Sequence, residues 1–583
     1  MSTPVRATVG WLALLVLTAG CSLPLPSGVQ VPGKVAAEQR PPRDIQVLPP
    51  GPRAGATPTA VVLGFLGAQS NPDKRHAIAR MFLTPDKSGG WLDQGEVRVY
   101  DPRTLLLRQA AQIGDQSTVE VTADVTGVIH PDGSYAEQVP TPSTEVYGLR
   151  RSGRGPWQLS DVPAGLRLSP ADRDRSFRPR RAYYLAPSYT AGRPDHLVPD
   201  LVLLPVQPDP APSLVARLLA GPSRSLEGSV TTAVPAGTAV RSVTTAAPGI
   251  VTVDLSRQVL TLPGTARQDL SAQLVWTLRQ LGSDFTGLRL LVEGRPLPVP
   301  DSGVVQPSND WEAYDPDGLV VDAPLFYVAD RRLHSVGAPL PAGPLTSGQA
   351  ADPGAVPVDA VAVTPDGVRV AVLATSRPAG IVQVRTGPLR APSYAAPPLH
   401  EPGLTSPSWG SGEAGLWMLR GGTEVLLLPS VGPARTVPLD RTLPAPLTSL
   451  AVSRDGARLA VVAGGRLFVG RVEPGGPAGV RVVGLLAVAP QLTGVRVVAW
   501  QTGTSLVVLG RVQDTLLAVR VAVDGSSAVP FDGPGLPGPP TAVAASPGGV
   551  WVGVGAGRTA RRYRVSGRGF EAGPTGSAPS YPG

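Results

Sequence analysis

Cysteine is almost absent from this sequence, since Cys21 is the only one among 583 residues. A single thiol excludes disulfide bonds within the chain and zinc sites built from several cysteines. It also excludes a cysteine nucleophile in any domain that folds after the first apolar segment. The importance of Cys21 therefore has to come from its place near the N-terminus.

Lysine is scarce as well. Lys34, Lys74 and Lys87 are the only lysines, so nearly all of the 52 basic residues are arginine. The net charge of +8 favours association with anionic surfaces such as lipid headgroups or acidic wall polymers. The arginines are scattered, however, and no basic run is interleaved with aromatic residues as in proteins that bind single-stranded nucleic acid. The sequence therefore predicts no nucleic-acid partner.

Histidine is the third scarce residue, and its five occurrences are isolated from one another. None lies in an HxH, HExxH or HxxE motif, and no GxSxG motif marks a serine nucleophile. The five are His76, His130, His196, His334 and His400. We therefore predict no catalytic residues, no metal site and no cofactor, and we expect His76 to be an exposed helix residue.

Other polar and aromatic groups fit structural roles. Asp366 and Asp455 occupy equivalent turns, PDG and RDG, where hairpin geometry favours aspartate. Asp254 either ends a strand or faces a groove, and none of these carboxylates suggests a paired acid and base. The glycine-rich runs 410–412 and 553–557 fall where turns and strands are expected. Four tryptophans are expected in the core: Trp409, Trp417, Trp500 and Trp551.

Residues 1–20 have the layout of a secretory signal peptide. One positive charge at Arg6 precedes the apolar run VGWLALLVL, and small residues follow. The run is too short to span a bilayer as a permanent helix. We therefore expect the chain to be exported and this segment to be removed.

The residues LTAGC, ending at Cys21, resemble a lipobox, although leucine is commoner where Thr18 stands. The resemblance implies that Cys21 becomes the N-terminal residue and carries S-diacylglycerol and N-palmitoyl groups. Two or three acyl chains anchor a protein stably, because each buried methylene contributes about 0.8 kcal/mol. The predicted location is the extracytoplasmic face of the cell membrane, and an ordinary signal peptide with an incidental cysteine is the alternative.

The composition changes twice after the cysteine. Residues 21–56 are rich in proline and lack hydrophobic periodicity, which predicts an extended tether. Residues 57–180 predict a small α+β domain, because Thr57 and Pro58 begin an amphipathic helix, a second helix follows, and alternating strands complete the segment.

Residues 181–310 predict a second α+β domain, in which strands alternate with two amphipathic helices. Its stretches LVARLLAGPS, GIVTVDLS and LSAQLVWTL resemble the GerMN domain of spore-germination proteins and exported lipoproteins. No catalytic residues are known for that domain, so the resemblance assigns none here.

Residues 311–583 are repetitive, with an apolar strand, a turn glycine and an apolar strand recurring along the segment. Five turn glycines lie 45, 44, 47 and 45 residues apart: Gly367, Gly412, Gly456, Gly503 and Gly548. A period of about 40 to 50 residues with strands only is typical of a β-propeller, one blade per repeat. Gly318 gives a weaker further mark, and we predict about six blades, with a β-sandwich as the alternative.

The whole chain resembles the LpqB family of actinobacterial lipoproteins. The resemblance covers nearly all of the mature chain and is most specific in GFLGAQSNPDKRHAIARMFLTPD and WQLSDVPAGLRLSPADRDRSFRPRRAYYLAP. It implies a non-enzymatic accessory to the MtrA and MtrB two-component system, which contacts the extracytoplasmic domain of an MtrB-like sensor histidine kinase and influences cell-wall homeostasis and division.

A second hypothesis starts from the propeller alone. A protein that binds cell-wall glycans or peptides, or hydrolyses them, would use one propeller face as a platform. Propellers host both kinds of function, so the fold does not decide between them.

Overall fold

The structure, a computed structural model, describes residues 50–583 except 72, 187–195, 247–248, 320–322, 338–342, 345–357, 377–378, 390–398, 411–414, 476–477, 532, 556–559 and 568. The signal segment, Cys21 and residues 21–49 of the tether lie outside the described residues, as do Ser411, Gly412, Ala556 and Gly557. None of the helices that the structure describes is long and apolar enough to cross a membrane.

The N-terminal domain packs short helices against a six-stranded sheet. Its helices are α1 (Pro58–Ala68), α2 (Asp73–Arg80), α3 (Pro85–Gly90) and α4 (Pro170–Ser176). Its strands are β1 (Val97–Tyr100), β2 (Leu106–Ile113), β3 (Gln116–Ile129), β4 (Tyr135–Arg150), β5 (Gln158–Asp161) and β6 (Leu166–Leu168). The sheet order is β5-β4-β3-β1-β6, with β2 paired to β3. The long β3 and β4 form a hairpin through the turn at residues 130–134, and β1 pairs with β3 up to Ile129.

Helix α1 forms as its sequence predicts. Thr57 accepts a hydrogen bond from the amide of Ala60 at 3.3 Å, and Pro58 occupies the first turn. Phe65, on the apolar stripe, is 1 % exposed, and its ring centroid lies 5.2 Å from that of Trp91. Burying such side chains, at roughly 1.5 to 3 kcal/mol each, fixes the helix on the sheet.

A two-stranded hairpin, β7 (Phe177–Leu185) and β8 (Leu197–Pro205), connects the domains. Its side chains enter three different cores, because Leu203 packs in the N-terminal domain, Tyr184 in the second domain and Leu201 between two propeller blades. The hairpin is therefore shared by all three domains.

The second domain packs its helices on one face of a five-stranded sheet. Its helices are α5 (Ala211–Leu219) and α6 (Gly264–Arg279), with short 3-10 helices at Arg257–Thr261, Gly282–Asp284 and Glu312–Tyr314. Its strands are β9 (Val240–Ala246), β10 (Ile250–Leu255), β11 (Gly287–Val292), β12 (Arg295–Pro296) and β13 (Gln306–Pro307). Strands β10 and β11 are parallel, and α6 is the crossover between them, as a parallel pair requires.

The described residues of the remaining segment form six four-stranded sheets, so the predicted propeller of about six blades is confirmed. Blade 1 contains β14 (Leu325–Ala329), β15 (Arg332–Val336), β16 (Gly343–Pro344) and β37 (Ser577–Ser580). Blade 2 contains β17 (Val358–Val363), β18 (Arg369–Ser376), β19 (Ile381–Pro388) and β20 (His400–Pro402). Blade 3 contains β21 (Leu404–Trp409), β22 (Leu416–Arg420), β23 (Glu424–Leu428) and β24 (Arg435–Thr436).

Blades 4 to 6 repeat the same hairpin order. Blade 4 contains β25 (Leu447–Val452), β26 (Arg458–Ala463), β27 (Arg466–Pro474) and β28 (Val480–Val488). Blade 5 contains β29 (Thr493–Thr502), β30 (Ser505–Val512), β31 (Thr515–Ala522) and β32 (Ala528–Pro530). Blade 6 contains β33 (Pro540–Ser546), β34 (Gly549–Val554), β35 (Arg561–Ser566) and β36 (Gly569–Thr575).

Strand β37, from the end of the sequence, closes the ring as the innermost strand of blade 1, where it pairs with β14. Blade 1 therefore has no hairpin between its first and second strands. The prediction that Gly318 marks a blade is therefore wrong. Gly318 precedes β14, and blade 1 has no turn equivalent to the one that contains Gly367 in blade 2. Asp330 and Arg331, both with positive φ, form the turn between β14 and β15.

Candidate functional site

The five histidines predicted to be isolated lie on different elements of the fold. His76 is on α2, His130 is in the β3–β4 turn, His196 precedes β8, His334 is on β15 and His400 is on β20. No group of three or more His, Cys, Asp or Glu side chains is arranged to hold a metal ion in the part of the chain that the structure describes.

His76 is not the exposed residue that its helical position predicts. It is half-buried, and its ring packs edge-on against Trp91 with centroids 6.0 Å apart. Burial lowers the pKa of the imidazole. The prediction failed because the burial of His76 comes from a tertiary contact. After α3 the chain returns to α2 and places Trp91 against the imidazole, which the spacing of residues within α2 does not reveal. His76 and His130 both line a cavity of about 480 Å³ between the N-terminal domain and β8.

The turn aspartates have the equivalent roles predicted for them. Asp366 accepts a hydrogen bond from the amide of Val368 at 3.0 Å, and Asp455 accepts one from the amide of Ala457 at 2.9 Å. Both carboxylates therefore hold their own hairpins. Asp254 on β10 accepts the amide of Gly294 at 3.0 Å, which ties this strand to the turn after β11.

The propeller tryptophans belong mainly to the core, as predicted. Trp409 donates to the carbonyl of Ala362 at 3.1 Å, and Trp500 donates to that of Ala451 at 2.9 Å, so each joins its blade to the preceding one. Trp417 is 1 % exposed. Trp551 donates to the hydroxyl of Tyr581 at 3.1 Å. Rings held in this way do not form an exposed aromatic platform.

Polar contacts join the three domains where they meet at blades 4 and 5. The β3–β4 hairpin supplies Glu137, whose Oε2 accepts the amide of Ala489 at 2.9 Å. Arg173, at the end of the N-terminal domain, donates to the carbonyl of Ser526 at 3.3 Å. We call this region the junction.

The second domain is bound to the same blades by buried charges. Arg458 of blade 4, fully buried among protein atoms, donates to the carbonyl of Pro199 at 2.7 Å and to that of Gly503 at 3.2 Å. Asp317 accepts the amide of Gly503 at 3.1 Å. Burial raises the pKa of Asp317 to about 6. Such groups are costly to bury without partners, so these contacts specify the position of one domain on the other.

A second arginine joins the inner strands of neighbouring blades. Arg454, 5 % exposed, donates to the carbonyls of Trp500, Ala545 and Pro582 at 3.2, 2.9 and 3.1 Å. One guanidinium thus joins blades 4, 5 and 6 to the last residues of the sequence.

Two carboxylates of the junction differ from ordinary surface acids. Burial and the neighbouring Asp524 raise the pKa of Glu137 to about 7, although the Ala489 amide and Arg173 oppose the shift. Burial also raises the pKa of Asp524. Sequence reasoning missed both residues. Asp524 stands before Gly525 like the other turn aspartates, but nothing in the run AEQVP around Glu137 indicates an interdomain role.

Family models match three parts of the chain. The N-terminal domain of lipoprotein LpqB matches residues 51–174, and the beta-propeller domain of lipoprotein LpqB matches residues 344–582. A sporulation and spore germination model matches residues 181–298. The predicted fold class, two α+β domains of which the second is GerMN-like, followed by a propeller, is confirmed.

Curated relatives match along about nine tenths of the chain. Lipoprotein LpqB of Thermobifida fusca (strain YX) is 28% identical and covers 90% of this chain and 90% of its own. Lipoprotein LpqB of Rhodococcus jostii (strain RHA1) is 29% identical and covers 92% of this chain and 90% of its own. Among solved structures, the first GerMN domain of GerM from Bacillus subtilis is 21% identical, with a TM-score of 0.18, and covers 22% of this chain and 92% of that chain.

Proposed function

Because the chain belongs to the LpqB lipoprotein family, we propose that it is a lipid-anchored, extracytoplasmic and non-enzymatic protein that modulates a sensor histidine kinase of the MtrB type linked to cell-wall homeostasis and division. The anchor in this proposal is the acylated Cys21, and the partner is the extracytoplasmic domain of the kinase.

The junction is the observation that carries the proposal. Hydrogen bonds that Arg173 and Arg458 donate, and that Glu137 and Asp317 accept, bind both α+β domains to the same two blades. A modulator needs to present a surface of defined shape, because a partner that binds a flexible surface also bears the cost of ordering it. Three domains held in one arrangement supply such a surface.

The burial of the propeller tryptophans favours this proposal over glycan binding. An aromatic platform for sugars needs exposed rings, whereas Trp409, Trp417 and Trp500 are at most 6 % exposed. Wall fragments therefore enter the experiment as the competing ligand.

The experiment measures binding of the full-length chain, in detergent micelles, to the purified extracytoplasmic domain of the cognate kinase. We expect saturable binding that purified wall fragments do not compete away. Tight binding of wall fragments without kinase binding would overturn the proposal in favour of the glycan or peptide hypothesis.

A pair of variants tests whether the junction matters for the partner. Arg458→Met removes the donors to Pro199 and Gly503, and we expect it to weaken kinase binding at least about fivefold. Arg420→Met is the matched control, because the contacts of Arg420 stay within blades 2 and 3: ion pairs with Glu401 and Glu424 and a hydrogen bond to Thr436. Equal affinities for the two variants would contradict a role for the fixed domain arrangement.

A further inference from the structure

A cavity of about 250 Å³ lies inside the junction, between the β3–β4 hairpin, the second domain and blades 4 and 5. Apolar side chains form most of its wall: Leu201, Val469, Leu486, Val488 and Val523. Three arginines also line it, and their guanidinium groups donate to other acceptors: Arg224 to Asp132, Arg471 to Glu473, and Arg458 to the carbonyls of Pro199 and Gly503. Leu486 remains 56 % exposed, so the cavity opens to solvent beside it. The described residues thus enclose a space far larger than an ion or a single water molecule.

Two carboxylates face this space side by side. Glu137 and Asp524 both line it, and Gly525 adopts a φ of +80° that lets the turn approach Glu137 closely. A Cβ at Gly525 would overlap with Oε2 of Glu137. The turn after β31 is therefore built to hold the two carboxylates near each other.

The donors around these carboxylates are incomplete. Glu137 receives the Ala489 amide, and Oδ1 of Asp524 receives the Ser526 amide at 2.9 Å. Oδ2 of Asp524 is shielded from solvent and has no hydrogen-bond donor among the described residues. The charge of Arg173 acts on both carboxylates, but its guanidinium donates to Ser526 and Asp174 instead. A buried carboxylate oxygen without a donor is costly, so a donor from a ligand would be stabilising.

We propose that the junction cavity binds a small organic amine, with its ammonium group between the carboxylates of Glu137 and Asp524 and its aliphatic body against the apolar wall. The volume is below the roughly 300 to 1,000 Å³ typical of drug-sized ligands, so the ligand is of about amino-acid size. Two carboxylates and an apolar wall suit an ammonium ion better than a divalent cation, which prefers six or more oxygen ligands.

Proton release gives the proposal a second readout. An ammonium ion favours the ionised forms of both carboxylates, whose pKa values burial raises. Amine binding at about pH 6 therefore releases protons into the buffer.

The experiment is calorimetric titration of the full-length chain, in detergent micelles, with butylamine, butan-1-ol and butanoate, which share one chain length and differ in the head group. Titrations into empty micelles give the blank. We expect saturable binding of butylamine, at least about tenfold tighter than that of the other two. Titration of butylamine in buffers of different ionisation enthalpy should reveal the released protons. Equal binding of the alcohol and the amine, or no binding of the amine, would overturn the proposal.

Isosteric variants test whether butylamine binds in the cavity. Glu137→Gln and Asp524→Asn keep the acceptors for the Ala489 and Ser526 amides, and we expect each to raise the Kd of butylamine at least about tenfold. Glu571→Gln, at an exposed position of blade 6, is the matched control and should leave the Kd unchanged. Undiminished binding by both cavity variants, or carboxylate-dependent binding of Ca²⁺ in place of the amine, would contradict an amine site here.

Discussion

Glu137 makes the stability of the protein depend on pH in a direction that can be derived. The pKa of its carboxyl rises from 4.5 to about 7 on folding, mainly through burial against blades 4 and 5. Between these values the folded chain holds a proton that the unfolded chain has released. The free energy of unfolding therefore falls as the pH rises through this window.

The magnitude follows from the same shift. At about 1.4 kcal/mol for each pH unit, a rise of about 2.5 units would give about 3.4 kcal/mol. Glu137 is only half-buried, so solvent screening reduces the expected effect to about 1 to 2 kcal/mol. Asp524 shifts in the same direction and Arg173 opposes both, whereas the buried histidines shift in the opposite sense.

Glu137→Gln isolates the contribution, because the amide resembles the protonated acid and cannot ionise. We expect the variant to match the unaltered protein near pH 4.5 and to be more stable by about 1 to 2 kcal/mol above about pH 7.5. Urea unfolding followed by tryptophan fluorescence at several pH values measures the difference, and Glu571→Gln serves as the control. A stability difference that is the same at about pH 5 and pH 8 would refute the reasoning.

Two further changes test the centre of the propeller and the anchor. Arg454→Met leaves three buried carbonyls and the nearby Asp317 without their cation, so we expect a loss of about 3 to 5 kcal/mol in the free energy of unfolding. The control variant Arg420→Met, measured in the same way by urea unfolding, should lose less than about 1 kcal/mol. Cys21→Ala should move most of the protein out of the membrane fraction on cell fractionation, whereas Ser22→Ala should not, and membrane retention of the Cys21 variant would contradict lipidation at this residue.

The repeating part of the fold could be predicted because each blade is built from local hairpins. Turn residues such as Asp366 and Asp455 hold strands that are adjacent in sequence, so the period is visible without tertiary information. The closing strand β37 could not be predicted in the same way. Its partner β14 lies about 250 residues earlier, and its short sequence, SAPS, carries no strand pattern.

The junction was hidden from the sequence for a related reason. The five residues that follow Glu137 on its strand, 138–142, are exposed, which is typical of a solvated part of a sheet. Only the docking of the hairpin on blades 4 and 5 removes the carboxylate from water and brings it beside Asp524, about 390 residues later in the chain. Composition and residue spacing indicate local geometry, whereas the pKa of a side chain depends on burial and on charges brought near it by distant parts of the chain.

The same docking connects the two proposals without making one depend on the other. The hairpin β7–β8 contributes to three cores, so a change in its position would be felt by the N-terminal domain, the second domain and blades 4 and 5 together. A ligand in the junction cavity would contact all three domains at once and would favour the arrangement in which they are closed around it. If the three domains are less firmly held when the cavity is empty, the surface available to a kinase differs between the ligand-bound and ligand-free protein. If they are equally well held, the surface is the same in both. Kinase affinity measured with and without butylamine separates these cases, because an unchanged affinity would mean that the cavity and the partner surface act independently.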